Sequence, residues 1–148
     1  MTRRTAVTHE FVQFVPREMK EGTVYVSIEY ATAAHLCACG CGNKVVTPFT
    51  PTDWKLIFDG ETISLDPSIG NWSFKCRSHY WIQRNRVEWA RYWSDEQIAA
   101  GRERDRQAKK QYFEPVPPPS VSSPEPSNSD RPKEPDSIWA RLRRFFRP

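Results

Sequence analysis

Three of the chain's four cysteines stand at every second position of one short segment, HLCACGCG at residues 35–42. In an extended strand these side chains would form a single row, with His35 and Cys41 about 20 Å apart. A tetrahedral metal with metal–sulfur bonds of about 2.3 Å could not be bound by such a row. Gly40 and Gly42 allow the chain to curl, because glycine adopts positive φ at little cost. The segment therefore predicts a curled loop that carries several thiols.

A second group of candidate ligands, Cys76 and His79, lies downstream in the segment CRSH. The Cys-x-x-His spacing suits two ligands on one tight turn, and two such groups separated by strands are typical of small zinc domains. The pattern favours this pair together with two of the three clustered cysteines, which leaves one thiol spare. Six residues thus compete for the four positions around one Zn²⁺, and they are Cys37, Cys39, Cys41, Cys76, His79 and His35.

The clustered cysteines leave the ligand set open. Two pairs from this cluster fit equally well, either Cys37 with Cys41 or Cys39 with Cys41. In both cases His35 is either a residue that supports a ligand or a plain strand residue. A thiol beside zinc would have a lowered pKa and a larger thiolate fraction. The sequence therefore allows a chemical role for the spare cysteine beside a structural role for the metal.

The N-terminal segment predicts a cytoplasmic location. MTRRTAVTHEFVQFV contains two arginines but no long apolar run and no small-residue cleavage site, so we expect no signal peptide. No segment approaches the roughly 18 apolar residues of a membrane span. In a reducing compartment, clustered cysteines are more often metal ligands or catalytic groups than disulfides.

Short segments rich in β-branched and aromatic residues predict a mainly β fold, a small zinc-stabilised antiparallel domain over residues 1–93. Dipeptides typical of turns, Asp59-Gly60 and Arg84-Asn85, predict two hairpins. The segments with strand character are EFVQFV, TVYVSIEY, NKVVTPF, WKLIFDG, TISL, GNWSFKC, HYWIQRN and RVEWARYW.

The segment LDPSIGNW, residues 65–72, is interpreted as a turn. Pro67 fixes φ, Ser68 can bond to the backbone and Gly70 permits a bend. The segment leads directly to Cys76, and we expect it to place the second ligand pair.

After residue 93 the sequence pattern changes twice. Residues 94–113 predict a polar helix, because Ser94 can cap it and Gln97 stands three residues later, as in a capping box. Residues 114–137 are rich in proline, serine and glutamate. Such a composition cannot bury enough apolar surface to fold alone and predicts a disordered linker.

The last segment, residues 138–148, predicts a short basic amphipathic helix. Four of its residues are arginines, which accounts for much of the chain's formal charge of +4. A helix this short is unstable alone in water, so we expect it to dock on a protein partner or, as the alternative, on a membrane surface. Its apolar face is formed by Ile138, Trp139, Leu142, Phe145 and Phe146.

The sequence lacks the short motifs of several enzyme classes, since no GxSxG, Walker loop or HExxH is present. Its turn acids are scattered and are interpreted as solvated rather than catalytic: Asp53, Asp59, Glu61 and Asp66. These observations favour a binding scaffold over an enzyme.

The motifs HLCACGCG, ISLDPSIGNW, CRSHYWI and VEW together resemble an uncharacterised bacterial family of small domains. Its signature is H-x-C-x-C-G-C-G, then L-x-P-S-I, then C-x-S-H-Y-x-I, and the resemblance covers roughly residues 9 to 90. The resemblance implies a zinc-binding domain with no established activity, and a link to operons for ubiquitin-like conjugation. The segments after residue 94 lie outside it.

Three functions follow, in order of preference. The first is a zinc-binding adaptor or accessory protein, with a conjugating or activating enzyme as partner if the context is ubiquitin-like conjugation. The second is an enzyme that uses a cysteine beside zinc for acyl transfer or for hydrolysis of a ubiquitin-like conjugate. The third is a nucleic-acid-binding module, because aromatic residues alternate with arginines in HYWIQRNRVEWARYW. Tryptophans at strand spacing usually fill a core, so this interpretation ranks last.

Overall fold

The computed structural model describes residues 2–115. The predictions for most of the linker and for the helix at residues 138–148 lie outside the described residues. The described part is mainly β, as predicted, with two four-stranded sheets followed by one helix. The elements are β1 (Thr8–Phe11), β2 (Thr23–Ser27), β3 (Thr32–Leu36), β4 (Lys44–Pro48), β5 (Lys55–Phe58), β6 (Ile63–Gly70), β7 (His79–Gln83), β8 (Arg86–Trp89) and α1 (Asp95–Phe113).

The strands follow chain order in each sheet, β1-β2-β3-β4 in the first and β5-β6-β7-β8 in the second. All pairs are antiparallel except β1 and β2, which are parallel. One core contains apolar residues of both sheets. Its most deeply buried members include Val24, Val26, Ala33, Ile63, Leu65, Ile69, Tyr80 and Ile82.

Both predicted hairpins are confirmed. Arg84 and Asn85 connect β7 to β8 with φ of 48° and 59°. Two successive positive φ values are the geometry that tight hairpin turns require. Asp59 and Gly60 lie in the turn that connects β5 to β6, and the Asp59 carboxylate accepts hydrogen bonds from the backbone amides of Glu61 and Thr62.

Two neighbouring segments from Leu65 onward differ from the prediction. LDPSIG is not a turn but belongs to the strand β6, because burial of Leu65 and Ile69 in the core keeps the chain extended. GNWSFKC was expected to continue the strands, yet residues 71–78 form a succession of turns. The Asn71 amide donates to the Ser78 carbonyl and so closes the base of this loop.

The helix α1 begins as predicted. The Ser94 side chain accepts from the Gln97 amide while the Gln97 side chain accepts from the Ser94 amide. Ile98 is the buried residue of α1, and an ion pair of 2.6 Å joins Lys109 to Asp53. Within residues 2–115 no helix combines the length and the hydropathy needed to cross a membrane.

Candidate active site and metal centre

The loop between β3 and β4 curls as the glycines predict. Gly40 and Gly42 adopt φ of 82° and 74°, and the Gly40 amide donates to the Cys37 carbonyl at 3.0 Å. The Cys37 amide in turn donates to the Asn43 carbonyl at 2.8 Å and closes the loop. The curl brings the thiols of the loop together instead of leaving them in a row.

The fourth cysteine joins this group from the second sheet. Cys76 lies in the loop between β6 and β7, and its Sγ is 4.0 Å from Cys37 Sγ and 3.7 Å from Cys41 Sγ. Cys37 Sγ and Cys39 Sγ are 3.4 Å apart. The four Sγ atoms all lie within 4.8 Å of one another, and all four cysteines are free.

These separations fit one tetrahedral metal ion. Four sulfurs with metal–sulfur bonds of about 2.3 Å would lie about 3.8 Å from one another. The four thiols could therefore hold a metal ion. Since four protein ligands complete a tetrahedron, such an ion would have no open position for a substrate.

Neighbouring polar groups support the thiols. The Asn43 amide group donates to Cys41 Sγ at 3.2 Å, the Asn71 amide group donates to Cys37 Sγ at 3.8 Å, and Ser78 Oγ lies 3.0 Å from Cys37 Sγ. Burial alone would raise the pKa of Cys41, but hydrogen bonds from Asn43 and Cys39 outweigh it and lower the pKa to about 7. Burial raises the pKa of Cys37 and of Cys39 above the ordinary thiol value, so only Cys41 among these three has a lowered pKa. Polar groups beside thiols also orient metal ligands.

The two histidines among the six candidate ligands lie outside the group of four thiols. His35 is fully buried on β3, and its Nε2 lies 2.9 Å from the Tyr80 hydroxyl. Burial lowers the pKa of His35 to about 4. His79 Nε2 lies 2.9 Å from Ser68 Oγ. The structure thus brings together Cys37, Cys39, Cys41 and Cys76, which are all the cysteines of the chain, so that no thiol is spare.

Ser68 and His79 form a pair across neighbouring strands. In the β6–β7 ladder Gly70 is directly opposite His79, so Ser68 is the diagonal neighbour of His79. The register of the two strands shifts between Leu65 and Ile69. Irregularities of this kind are frequent next to active sites, where they redirect a side chain. Here the side chains of Ser68 and His79 meet at hydrogen-bond distance.

His79 is enclosed by three indole rings. The ring centroids of Trp72, Trp93 and Trp81 lie 4.8, 4.9 and 5.5 Å from the imidazole centroid. Burial lowers the pKa of His79 below its ordinary value, which favours the neutral imidazole. The second ring nitrogen, Nδ1, is buried and has no hydrogen-bond partner in the described structure. A neutral histidine that carries its proton on Nδ1 can accept the Ser68 hydroxyl proton at Nε2.

Gly70 allows Trp72 to lie against this site. A Cβ atom at position 70 would come within 2.4 Å of Trp72 Nε1 and 2.6 Å of Trp72 Cε2. We therefore predict that Gly70→Ala displaces the indole and lowers the free energy of unfolding by about 1–3 kcal/mol, as measured by denaturant unfolding. The test includes the double variant Gly70→Ala/Trp72→Phe. If Gly70→Ala costs as much in the Trp72→Phe background as in the wild-type chain, the indole clash is not the cause.

Reasoning from the sequence missed the Ser68–His79 pair, because it assigned Ser68 to a turn and His79 to the metal. One signal could have revealed the pair. The family signature contains both P-S-I, which includes Ser68, and S-H-Y, which includes His79. A serine and a histidine, eleven positions apart, can be nucleophile and base whenever two strands bring them together.

Comparison with known proteins gives one family. The family model described as "Bacterial ubiquitination-like system serine protease (BubE)" matches residues 11–90, which include all four thiols of the candidate metal centre together with Ser68 and His79. No curated protein and no solved structure matches the chain. The family match supports the link to ubiquitin-like conjugation that the family resemblance implied. Because the match spans 80 of the 148 residues, the chain belongs to the family of bacterial ubiquitination-like system serine proteases (BubE).

Proposed function

We propose that this chain is a serine hydrolase of a bacterial ubiquitination-like system, with Ser68 as nucleophile and His79 as general base. The observation that carries the proposal is the 2.9 Å separation of Ser68 Oγ and His79 Nε2. That distance is within the reach required for proton transfer between a nucleophile and its base. The description of the matching family as a serine protease supports the same chemistry.

The proposed reaction is acyl transfer followed by hydrolysis. Ser68 Oγ attacks the carbonyl carbon of an amide or ester, and its proton passes to His79 Nε2. The bond from the carbonyl carbon to the leaving group then breaks, and the leaving group takes the proton from Nε2. Water, deprotonated by the same nitrogen, attacks the carbonyl carbon of the acyl-serine ester. The bond from that carbon to Ser68 Oγ breaks, the proton on Nε2 returns to Oγ, and the acid is released. We propose ubiquitin-like conjugates as the substrate class, because the family acts in a ubiquitination-like system.

The indole rings replace the usual third member of a catalytic triad in this proposal. Within residues 2–115 no carboxylate bonds to His79 Nδ1. Packing by Trp72, Trp81 and Trp93 fixes the plane of the imidazole. The faces of these rings can also favour the positive charge that His79 acquires during the reaction.

We further propose that the four thiols bind Zn²⁺ as a structural ion. Four thiolates are a common structural zinc ligand set, and the thiol separations fit it. The ion would join the β3–β4 loop to the β6–β7 loop. Because Cys76 is three residues before His79, the bound ion would also fix the start of β7, where His79 lies.

The pH dependence of hydrolysis tests His79 as the base. Because burial lowers its pKa and only the neutral form accepts a proton, the rate should rise with pH through a midpoint below the ordinary histidine value of about 6.5 and then level off. The measurement is the hydrolysis of umbelliferyl acetate between acidic and neutral pH. A midpoint above the ordinary value, or the same acid limb in His79→Gln, would contradict the assignment.

A zinc-organised adaptor is the second candidate function, favoured by the same group of thiols. It predicts that Ser68→Ala retains the full biological function, whereas the hydrolase proposal predicts its loss. A cysteine enzyme has less support, because each of the chain's cysteines belongs to the proposed zinc site. Three predictions from the sequence stay predictions. They are the cytoplasmic location, the docking of the segment 138–148 on a protein partner, and the low rank of nucleic-acid binding.

A further inference from the structure

The strand that carries Ser68 has an open edge beside the nucleophile. β5 pairs with β6 only from Phe58 opposite Ile63 to Lys55 opposite Asp66. The chain before Lys55 turns away toward the first sheet, where the Trp54 amide donates to the Pro48 carbonyl at 3.2 Å. In the described structure, Ile69 and Gly70 pair with β7 on one side, Pro67 and Ser68 lie where the register shifts, and residues 67–70 pair with no strand on the other side.

A groove of about 410 Å³ runs along this open edge. This volume is within the usual range of ligand-binding clefts. The lining comes from residues 52–54, from Pro67, Ser68 and Gly70 of β6, and from α1, whose contribution (the helix wall) includes Gly101 and Arg102. The helix and both sheets belong to one compact unit, Met1–Glu114. Ser68 therefore lines a groove that lies beside an unpaired strand edge.

The open edge supplies the main-chain groups for a bound peptide. Trp54 lines the groove beside this edge, and its amide is used in the bond to the Pro48 carbonyl. An extended peptide could pair with the unpaired main-chain groups of the open edge.

The charges of the helix wall select the kind of peptide. The Lys109 ammonium is neutralised by Asp53 at 2.6 Å and by Asp105 at 3.3 Å. Arg102 and Arg104 also line the groove and form no ion pair among residues 2–115. Guanidinium groups bind carboxylates strongly, so these two arginines favour an acidic side chain.

We propose that the groove binds an extended, acidic segment of the substrate, which pairs with β6 beside Ser68 and places a carboxylate on Arg102 or Arg104. The proposal rests on the proposed function, since it names the substrate class for the same nucleophile. In this proposal α1 determines which peptides the groove binds. The helix lies after the residues that the family model matches.

The test measures binding of the full-length Ser68→Ala chain to arrayed octapeptides in which each position in turn is Glu, Lys or Ala. We expect at least one position at which Glu binds about tenfold or more tightly than Lys. Arg102→Glu/Arg104→Glu should abolish this preference. The matched control is Arg106→Glu/Lys110→Glu, which makes the same change of charge on the same helix at residues that pair with Glu103 and Glu114, and it should retain the preference. N-methylation of the peptide amides should abolish binding.

Three results would overturn the inference: no binding by any peptide, equal binding of Glu and Lys peptides at every position, or a preference that survives in Arg102→Glu/Arg104→Glu. Failure of the proposed function has a different signature. In that case the wild-type chain does not react with a neutral fluorophosphonate at Ser68, whatever the peptide preference. If the inference alone fails, that reaction remains.

Discussion

Replacing Ser68 with alanine should reduce the hydrolysis of umbelliferyl acetate by about ten-thousand-fold while leaving the fold intact. Removal of a nucleophile or its base in serine hydrolases typically costs about this much or more. Ser68 is half-buried and its hydroxyl bonds to His79, so the substitution removes one hydrogen bond worth about 1 kcal/mol. We therefore expect a small shift in melting temperature, of roughly 4–8 °C at most.

The matched control is Ser73→Ala. Ser73 is an exposed serine in the loop between β6 and β7, five residues from Ser68. Its loss should change neither the rate nor the melting temperature. His79→Gln should lower the rate nearly as far as Ser68→Ala, because the two residues act as one unit. Comparable activity in Ser68→Ala and wild type would refute the role of Ser68.

Replacing Cys76 with serine should remove the metal and destabilise the domain. Structural zinc contributes strongly to the folding of small domains, and loss of a metal is among the few changes that cost about 4 kcal/mol or more. For a domain of this size we expect a melting temperature lower by roughly 15 °C or more. The same destabilisation should follow when wild-type protein is treated with a strong zinc chelator.

His79→Gln is the control that separates the two ligand sets. The sequence pattern favoured Cys76 with His79, whereas the structure groups four thiols and places His79 beside Ser68. If the four thiols are the ligands, His79→Gln retains one zinc per chain and Cys76→Ser retains none, as measured by elemental analysis after dialysis. Loss of zinc from His79→Gln would instead support the ligand set that contains the histidine.

Features determined by neighbouring residues could be predicted from the sequence. The hairpin at Arg84 and Asn85 and the capping box of Ser94 and Gln97 both depend on residues within one turn of each other. The curl of the cysteine loop likewise follows from glycines next to the thiols. In each case short-range geometry decides the structure.

Features determined by pairing between distant residues could not be predicted in this way. β3 has the sequence TAAHL, which has few residues typical of strands. It becomes a strand because it pairs with both β2 and β4. The segment around Pro67 looks like a turn by composition, but pairing with β7 and burial of Ile69 keep it extended.

The candidate active site depends on strand register. Ser68 meets His79 only because Gly70 lies opposite His79 and the ladder is irregular before Ile69. A shift of one residue would turn the histidine to the other face of the sheet. The Cys-x-x-His spacing was compatible with a metal site, but a spacing does not specify which face a side chain occupies. In the structure His79 lies beside Ser68, outside the group of four thiols.

The most direct test of the central claim is reaction of the wild-type chain with a fluorophosphonate, followed by mass spectrometry of the peptides. The account predicts one phosphonate adduct, on Ser68, in folded protein, with greatly reduced labelling in His79→Gln and no adduct after unfolding. Ser73 should stay unmodified under the same conditions. An adduct on a different serine, or no adduct on folded and zinc-loaded protein, would contradict the assignment of Ser68 as an activated nucleophile.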